Sequence, residues 1–151
     1  MNHKIDEVKK IKIGSLLTAA TALLMSFGPI SSKSTLKVKI DNIKTLSGTL
    51  YVGIYEKNGF PEKGEQLQQK KVKVDAKSEM VSFQMTPGNY AIALYHDVND
   101  NEEMDKSFFG YPEEPYGFSR NFAPSLSKPD FADCKVTLGT NDRTITISLI
   151  H

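Results

Sequence analysis

The sequence is poor in the residues that build disulfide scaffolds and structural zinc sites. It has one cysteine among 151 residues, Cys134, so no internal disulfide can form. A structural zinc site needs several thiolates or imidazoles, and His96 is the only histidine between residues 33 and 150. The composition therefore excludes a disulfide-stapled scaffold and a structural zinc module. We interpret Cys134 as a small buried hydrophobic residue that opens a strand.

The chain also lacks a basic stripe and the short motifs of common catalytic sites. Its 19 basic and 18 acidic side chains give a formal net charge of +1, so nothing indicates a nucleic-acid partner. It contains no nucleophile elbow and no phosphate-binding glycine loop. We assign no catalytic residue and favour a protein that is not an enzyme.

The one long apolar run is short for a membrane span. Residues 13–28, IGSLLTAATALLMSFG, carry no charge and follow four lysines. A positive end, an apolar centre and a border of small residues are typical of a secretory signal peptide. The run of about 16 residues falls short of the roughly 20 that span a bilayer. We predict a signal-peptide helix in residues 1–32, a single mature domain in residues 33–151 without a membrane span, and a secreted or periplasmic location.

From Thr35 onward, apolar and polar residues alternate with the period of half-buried strands. Residues 89–97, NYAIALYHD, are apolar at nearly every position, which predicts a central strand covered on both faces. Tyr90 is expected to direct its hydroxyl to a nearby backbone group. The pattern predicts an all-β fold, a seven-stranded antiparallel β-sandwich of immunoglobulin-like or prealbumin-like outline. The expected strands lie near residues 35–41, 49–56, 72–74, 80–85, 89–97, 134–140 and 143–150.

A long acidic and aromatic loop of about 35 residues follows the central strand, and loops of that length are usually functional or disordered. Between residues 97 and 115, seven acidic side chains and one basic one, Lys106, give a local charge of −6. Such a density of like charge is unfavourable unless water or a cation screens it. Seven aromatic residues lie between 108 and 131, and we expect them to pack down on the sheet.

The acidic part of this loop spaces its oxygen donors as a calcium-binding loop does. The candidate metal ligands are Asp97, Asn99, Asn101, Glu103 and Asp105. Four of them stand at positions 1, 3, 5 and 9 of an EF-hand-like loop. Position 6, normally glycine, is Glu102, and position 12, normally a bidentate glutamate, is Phe108. We therefore predict a weak calcium site, with calcium as the candidate cofactor. The alternative is that Asx-turns hold the loop without metal.

Two longer motifs in this region carry a resemblance to a known family. The run PGNYAIALYHDVNDNEEMD, followed by FGYPEEPYGFSRN, resembles a family of secreted bacterial proteins known only as a domain of unknown function. That family shares the patterns P-G-x-Y-A, H-D-x-N-x-N-G-x-x-D and G-x-P-x-E-x-Y-G-F-S; Glu102 stands where it has glycine. The resemblance extends from about Thr35 to Leu149 and implies a prealbumin-like sandwich, with no known activity. The matching residues are Pro87, Gly88, Tyr90, His96, Asp97, Asn99, Asn101, Asp105, Gly110, Pro112, Glu114, Tyr116, Gly117, Phe118 and Ser119.

A second set of residues offers candidates for ligand binding. The members are His96, Tyr111, Glu114, Tyr116 and Phe118. His96, at the end of the central strand, offers acid-base chemistry with a neighbouring carboxylate or serves as a structural histidine at the rim of the core. The aromatic residues offer stacking surfaces for a glycan or an envelope protein, or form a small core that anchors the loop.

Together these patterns favour an exported binding or structural module of the bacterial cell envelope. A weak calcium site in residues 97–105 is part of this interpretation, and the partner is unknown. The alternative from another class is a hydrolase that uses His96 with Asp97 or Glu114.

Overall fold

The computed structural model of the protein describes residues 32–125 and 127–151, so nearly all of the predicted signal peptide lies outside the described residues. Within them, the strands are β1 (Ser34–Asp41), β2 (Thr49–Tyr55), β3 (Gln68–Lys73), β4 (Glu79–Met85), β5 (Gly88–Asp97), β6 (Tyr116–Phe118), β7 (Val136–Leu138) and β8 (Arg143–Ser148). A 3-10 turn covers Ser119–Asn121 and a short helix, α1, covers Phe131–Cys134. None of the described helices is long and apolar enough to cross a membrane.

The eight strands form two sheets. The first has the order β4-β1-β8, and the second has the order β3-β2-β5, with β6 and β7 both paired to the remaining edge of β5. The seven expected strands are present, and the eighth, β6, is not predicted by the sequence pattern. Because β6 has only three residues, it is too short to show a period of two.

One pair of strands departs from the expected antiparallel arrangement. β1 and β8 run parallel, with Leu36 opposite Arg143 and Ile40 opposite Ile147, whereas the other pairs are antiparallel. The alternation of side chains is the same for both directions, so the pattern that predicts a strand does not predict its orientation. The expectation of a purely antiparallel fold is therefore wrong.

A single hydrophobic core draws on both sheets. In β1, the alternating residues Leu36, Val38 and Ile40 are inaccessible to solvent, as the period of two predicts. They belong to one cluster with side chains from the second sheet and from β8. The buried members of that cluster are Leu36, Val38, Ile40, Ile43, Leu50, Val52, Ile54, Val74, Val81, Phe83, Met85, Tyr90, Ile92, Leu94, Val136, Leu138, Ile147 and Leu149.

The strand β5 is central, as its apolar sequence predicts. It pairs with β2 along one edge, and on the other edge with β7 near its start and β6 near its end. Every residue from Tyr90 to Asp97 is buried or half-buried. The Tyr90 hydroxyl donates to the carbonyl of Thr86 at 2.9 Å, which confirms the expected backbone contact at the start of this strand.

The long loop is attached to the sheets by its own aromatic residues in one part only. Phe118 and Phe131 of this part contact Phe60, which lies between β2 and β3 and in turn contacts Tyr55; all three contacts are edge to face, with ring centroids 5.6–6.2 Å apart. The side chain of Ser119 is buried and accepts a hydrogen bond from the amide of Ile92 at 2.9 Å. This part of the loop therefore packs down on β5 as expected.

The expectation fails at the tip of the loop. Phe108, Phe109 and Tyr111 are 98%, 83% and 55% exposed. Aromatic content alone does not tell which rings reach the sheet, because a turn can present its side chains away from the strands that carry it.

Cys134 is buried, as predicted, but it ends helix α1 and does not open a strand. Burial raises the pKa of its thiol to about 11, so the thiol is protonated at neutral pH and is not a nucleophile.

Candidate functional site

The acidic loop begins where β5 ends, and Asp97 makes its first turn. The side chain of Asp97 is fully buried. Its two carboxylate oxygens accept hydrogen bonds from the backbone amides of Asn101 at 3.1 Å and Glu102 at 2.9 Å. A buried carboxylate is stable when backbone N–H groups hold it in this way. Asp97 therefore curls the next five residues around its own side chain.

The amide side chains of the loop add a second set of contacts. The carbonyl oxygen of Asn99 accepts the N–H of Asn101 at 3.0 Å, and that of Asn101 accepts the N–H of Glu103 at 2.8 Å. Both are Asx-turns. The amide nitrogens of the same two side chains donate to Asp105, at 2.7 and 3.0 Å. The structure thus brings together four predicted metal ligands: Asp97, Asn99, Asn101 and Asp105.

Backbone torsions show why one position of the loop normally carries glycine. Glu102, at the sixth position, has a φ of 66°, and Asp100 has a φ of 58°. Both lie in the left-handed region, which favours glycine and tolerates Asp and Asn better than Glu. The loop adopts the sharp turn in spite of Glu102.

Glu114 joins the same cluster from the far side of the loop. Its side chain is 7% exposed, and its oxygens accept the backbone amides of Val98 at 2.9 Å and Asp105 at 3.4 Å. Burial raises the pKa of this carboxyl, the two amide hydrogen bonds lower it, and the charges of Asp97 and Asp105 raise it further. The carboxylate of Glu114 therefore lies close enough to those of Asp97 and Asp105 to be affected by their charge.

Two lysines of β3 neutralise another part of the loop. The sequence analysis did not predict these ion pairs. Lys73 contacts Asp100 at 2.6 Å and Lys71 contacts Glu102 at 3.3 Å. The hydrogen bond from Lys73, followed by that from Thr49, lowers the pKa of Asp100. The run KKVK, residues 70–73, could have indicated these pairs, because Lys71 and Lys73 are two residues apart and so lie on the same side of a strand. The remaining acids of the loop have no lysine or arginine partner among the described residues: Asp97, Glu103, Asp105, Glu113 and Glu114.

Glu103 stands apart from the other candidate ligands. Its side chain is exposed, and its backbone amide, not its carboxylate, enters the network. Throughout the described ranges, no three His, Cys, Asp or Glu side chains are arranged to hold a metal ion. The donor set of this loop is instead mixed, with carboxylates and amide carbonyls.

The ring of His96 contacts the turn before β2. It is fully buried, and Nε2 lies 2.6 Å from the carbonyl oxygen of Ser47. The other ring nitrogen, Nδ1, is buried without a hydrogen-bond partner. Successive side chains of a strand point to opposite faces, so His96 and Asp97 do not meet. In the described part of the chain, His96 makes no hydrogen bond with Asp97 or Glu114.

The aromatic candidates divide into two groups. Tyr116 and Phe118 lie on β6, are half-buried and contact each other with ring centroids 5.9 Å apart. Tyr111 lies on the exposed tip, beyond this contact. The structure therefore does not bring the three rings together into one stacking platform.

Two β-sheets around one core, with a carboxylate and amide loop curled at the end of the central strand, define a mainly antiparallel β-domain with a loop site. The chain belongs to a family described as an uncharacterized protein conserved in bacteria (DUF2141), whose model matches residues 38–146. No curated protein and no solved structure matches the chain. Membership of an uncharacterised bacterial family, which the motifs imply, is thereby confirmed.

Proposed function

We propose that the protein is a small exported β-sandwich module of the bacterial cell envelope whose loop, residues 97–105, binds calcium weakly. The observation that carries the calcium proposal is the mixed donor set of the loop, in which the carboxylates of Asp97 and Asp105 lie beside two asparagine carbonyls and have no lysine or arginine partner among the described residues. Glu114 adds a third carboxylate beside them, and like charges in a partly buried site repel one another. A divalent cation would remove that repulsion.

The hydrogen bonds of the loop are compatible with this role. Each carboxylate oxygen has two acceptor sites, and the backbone amides occupy one on each oxygen of Asp97. The carbonyl oxygens of Asn99 and Asn101 are likewise oriented by one amide each. These contacts fix the side chains and leave acceptor capacity for a cation.

The composition of the loop sets the expected affinity. Calcium takes six to eight oxygens, so backbone carbonyls and water would complete the shell. Phe108 stands where a bidentate glutamate is usual, and Glu102 already occupies a strained left-handed position. We therefore expect a dissociation constant on the order of 10⁻⁴–10⁻³ M, as in extracellular modules. Magnesium should bind less well, because it demands a tighter octahedron.

Thermal and urea unfolding of residues 33–151, with calcium and with EDTA, tests the proposal. Calcium at about 100 times its dissociation constant should stabilise the fold by roughly 2.7 kcal/mol. Asp105→Asn, and the double variant Asp97→Asn with Asp105→Asn, should lose this response. The matched control is Asp100→Asn with Glu102→Gln, which removes two charges that the β3 lysines already neutralise and should keep it. If calcium leaves the parent transition unmoved, Asx-turns and aromatic packing hold the loop alone.

The envelope location is supported by the composition of residues 1–32, an uncharged run behind four lysines. Mass spectrometry of protein recovered from the envelope should find a mature chain that begins near residue 33. A chain that begins at Met1 would contradict export by cleavage. The natural partner in the envelope, a glycan or a protein, would then be sought with the mature chain.

A further inference from the structure

The tip of the long loop, Lys106–Pro112, is an ordered turn; we name it the aromatic tip. A β-bridge joins Lys106 to Pro112. The amide of Ser107 donates to the carbonyl of Tyr111 at 2.8 Å, and the amide of Gly110 donates to the carbonyl of Ser107 at 2.8 Å. The backbone is therefore closed by its own hydrogen bonds and does not depend on the rings for its shape.

The rings of this turn are presented to solvent. Phe108 and Phe109 are 98% and 83% exposed, whereas Leu46 and Leu67, elsewhere on the surface, are each 50% exposed. The two Phe rings contact each other edge to face, with centroids 5.5 Å apart. A Cβ placed on Gly110 would meet no atom within 4 Å. The aromatic tip thus projects both phenylalanine rings into solvent.

We propose that the aromatic tip inserts into the headgroup region of a lipid bilayer with zwitterionic, ammonium-bearing headgroups. Aromatic side chains are favoured at membrane–water interfaces, where their rings leave water without crossing the bilayer. A bilayer accepts projecting side chains without shape complementarity, whereas a protein partner must supply a matching pocket. An exposed pair of phenylalanines at the end of a hydrogen-bonded turn therefore suits a bilayer better than it suits a protein partner.

The charges beside the aromatic tip determine which lipid headgroups it should bind. Glu103 and Glu113 flank it in the sequence, are exposed and have no lysine or arginine partner among the described residues, and Lys106 is the single basic residue between 97 and 115. An anionic membrane surface would repel this flank. The headgroups of phosphatidylethanolamine and phosphatidylcholine carry no net charge, and therefore do not repel it. This inference does not rest on the calcium site, because insertion requires no metal.

Residues 33–151 are suitable for the test, since all eight strands and the whole core cluster lie within residues 34–149. Their use removes the apolar run of residues 13–28, which would bind membranes by itself. Sedimentation with vesicles of phosphatidylcholine and phosphatidylethanolamine, in EDTA, measures the partition coefficient. Phe108→Ser with Phe109→Ser should lower it about tenfold or more, because two large apolar side chains leave the interface. The matched control, Leu46→Ser with Leu67→Ser, should partition as the parent does.

Each remaining result overturns the proposal or part of it. Failure of the parent to sediment, or equal partition of the tip variant, would overturn it. Self-association of the parent, lost in the tip variant and unaccompanied by vesicle binding, would assign the tip to a protein interface. Equal or stronger binding to phosphatidylglycerol vesicles in EDTA would overturn the headgroup preference. Because EDTA is present throughout, these outcomes are independent of whether calcium binds the loop.

Discussion

At the scale of single residues, a stack of two tyrosines and a lysine joins the second sheet to the acidic loop. Tyr51 and Tyr95 lie opposite each other on β2 and β5, with ring centroids 4.7 Å apart and planes within 10°. Lys71 Nζ lies 4.8 Å from the centre of the Tyr51 ring and also contacts Glu102. The side chain that neutralises the loop is thus held against the sheet by the stack.

The stack makes the stability of the fold sensitive to alkaline pH. Burial, together with the negative charges that surround it, raises the pKa of Tyr95 to about 12. The unfolded chain loses this proton near pH 10, so the folded state binds more protons between about pH 10 and 12, and stability falls as pH rises through that window. Tyr95→Phe has no such proton. Its free energy of unfolding should therefore fall less between pH 9 and pH 11.5 than that of the parent, as measured by urea unfolding.

Tyr111 supplies the control for this experiment, because its ring is more than half exposed and is not part of the stack of Tyr51 and Tyr95. Tyr111→Phe should keep the pH dependence of the parent. Equal pH dependence in Tyr95→Phe and the parent would contradict the assignment of the alkaline loss to Tyr95.

At the scale of elements, the turn before β2 and the end of β5 pack without space between them. Gly48 has a φ of +80°, and a Cβ at this position would lie 2.1 Å from the carbonyl oxygen of Asp97. On the other side of the strand end, the carbonyl of Ser47 contacts the ring of His96 at 2.6 Å. The turn at residues 47–48 thus sets the position from which the acidic loop starts.

A side chain at Gly48 should displace that loop. Gly48→Ala combines left-handed strain with a clash against backbone, which cannot swing away as a flexible side chain can. We expect it to lower the free energy of unfolding by about 2–4 kcal/mol, measured by urea unfolding. Gly139→Ala is the matched control, because a Cβ there meets no atom within 4 Å. A change below about 0.5 kcal/mol in Gly48→Ala would show that the turn can relax.

At the scale of the whole molecule, the first and last described strands, β1 and β8, pair with each other. β8 pairs with β1 along six residues, and the amide of Leu149 donates to the carbonyl of Asp41 at 3.0 Å. Ile147 and Leu149 are 0% and 2% exposed in the core. The amide of Ile150 continues the contact by donating to the carbonyl of Tyr116 at 2.7 Å.

Removal of the last strand should therefore abolish folding. A chain of residues 33–142 lacks two buried aliphatic side chains, each worth about 2–5 kcal/mol, as well as the β1 pairing. Together these losses approach the free energy of unfolding of a typical domain, which is roughly 5–15 kcal/mol. Circular dichroism should show no cooperative thermal transition. Removal of the exposed His151 alone should leave the transition near that of residues 33–151. A cooperative transition in the shorter chain would show that β8 is dispensable.

The sequence by itself determined the features that depend on neighbours along the chain. Alternation of apolar residues located the seven predicted strands, and the continuous apolar run identified β5 as central. The spacing of Asp97, Asn99, Asn101 and Asp105 identified the loop whose side chains the structure brings together. These properties follow from a period of two and from local turn chemistry, which act over a few residues.

Only the tertiary structure decided the features that depend on residues far apart. Strand direction in the β1–β8 pair, the three-residue strand β6 and the exposure of Phe108 have no local pattern. The pairing of Lys71 with Glu102 joins side chains 31 positions apart, and Glu114 reaches Val98 across the loop. Such contacts depend on how the sheets pack, so the same residues are compatible with several arrangements until the fold selects one.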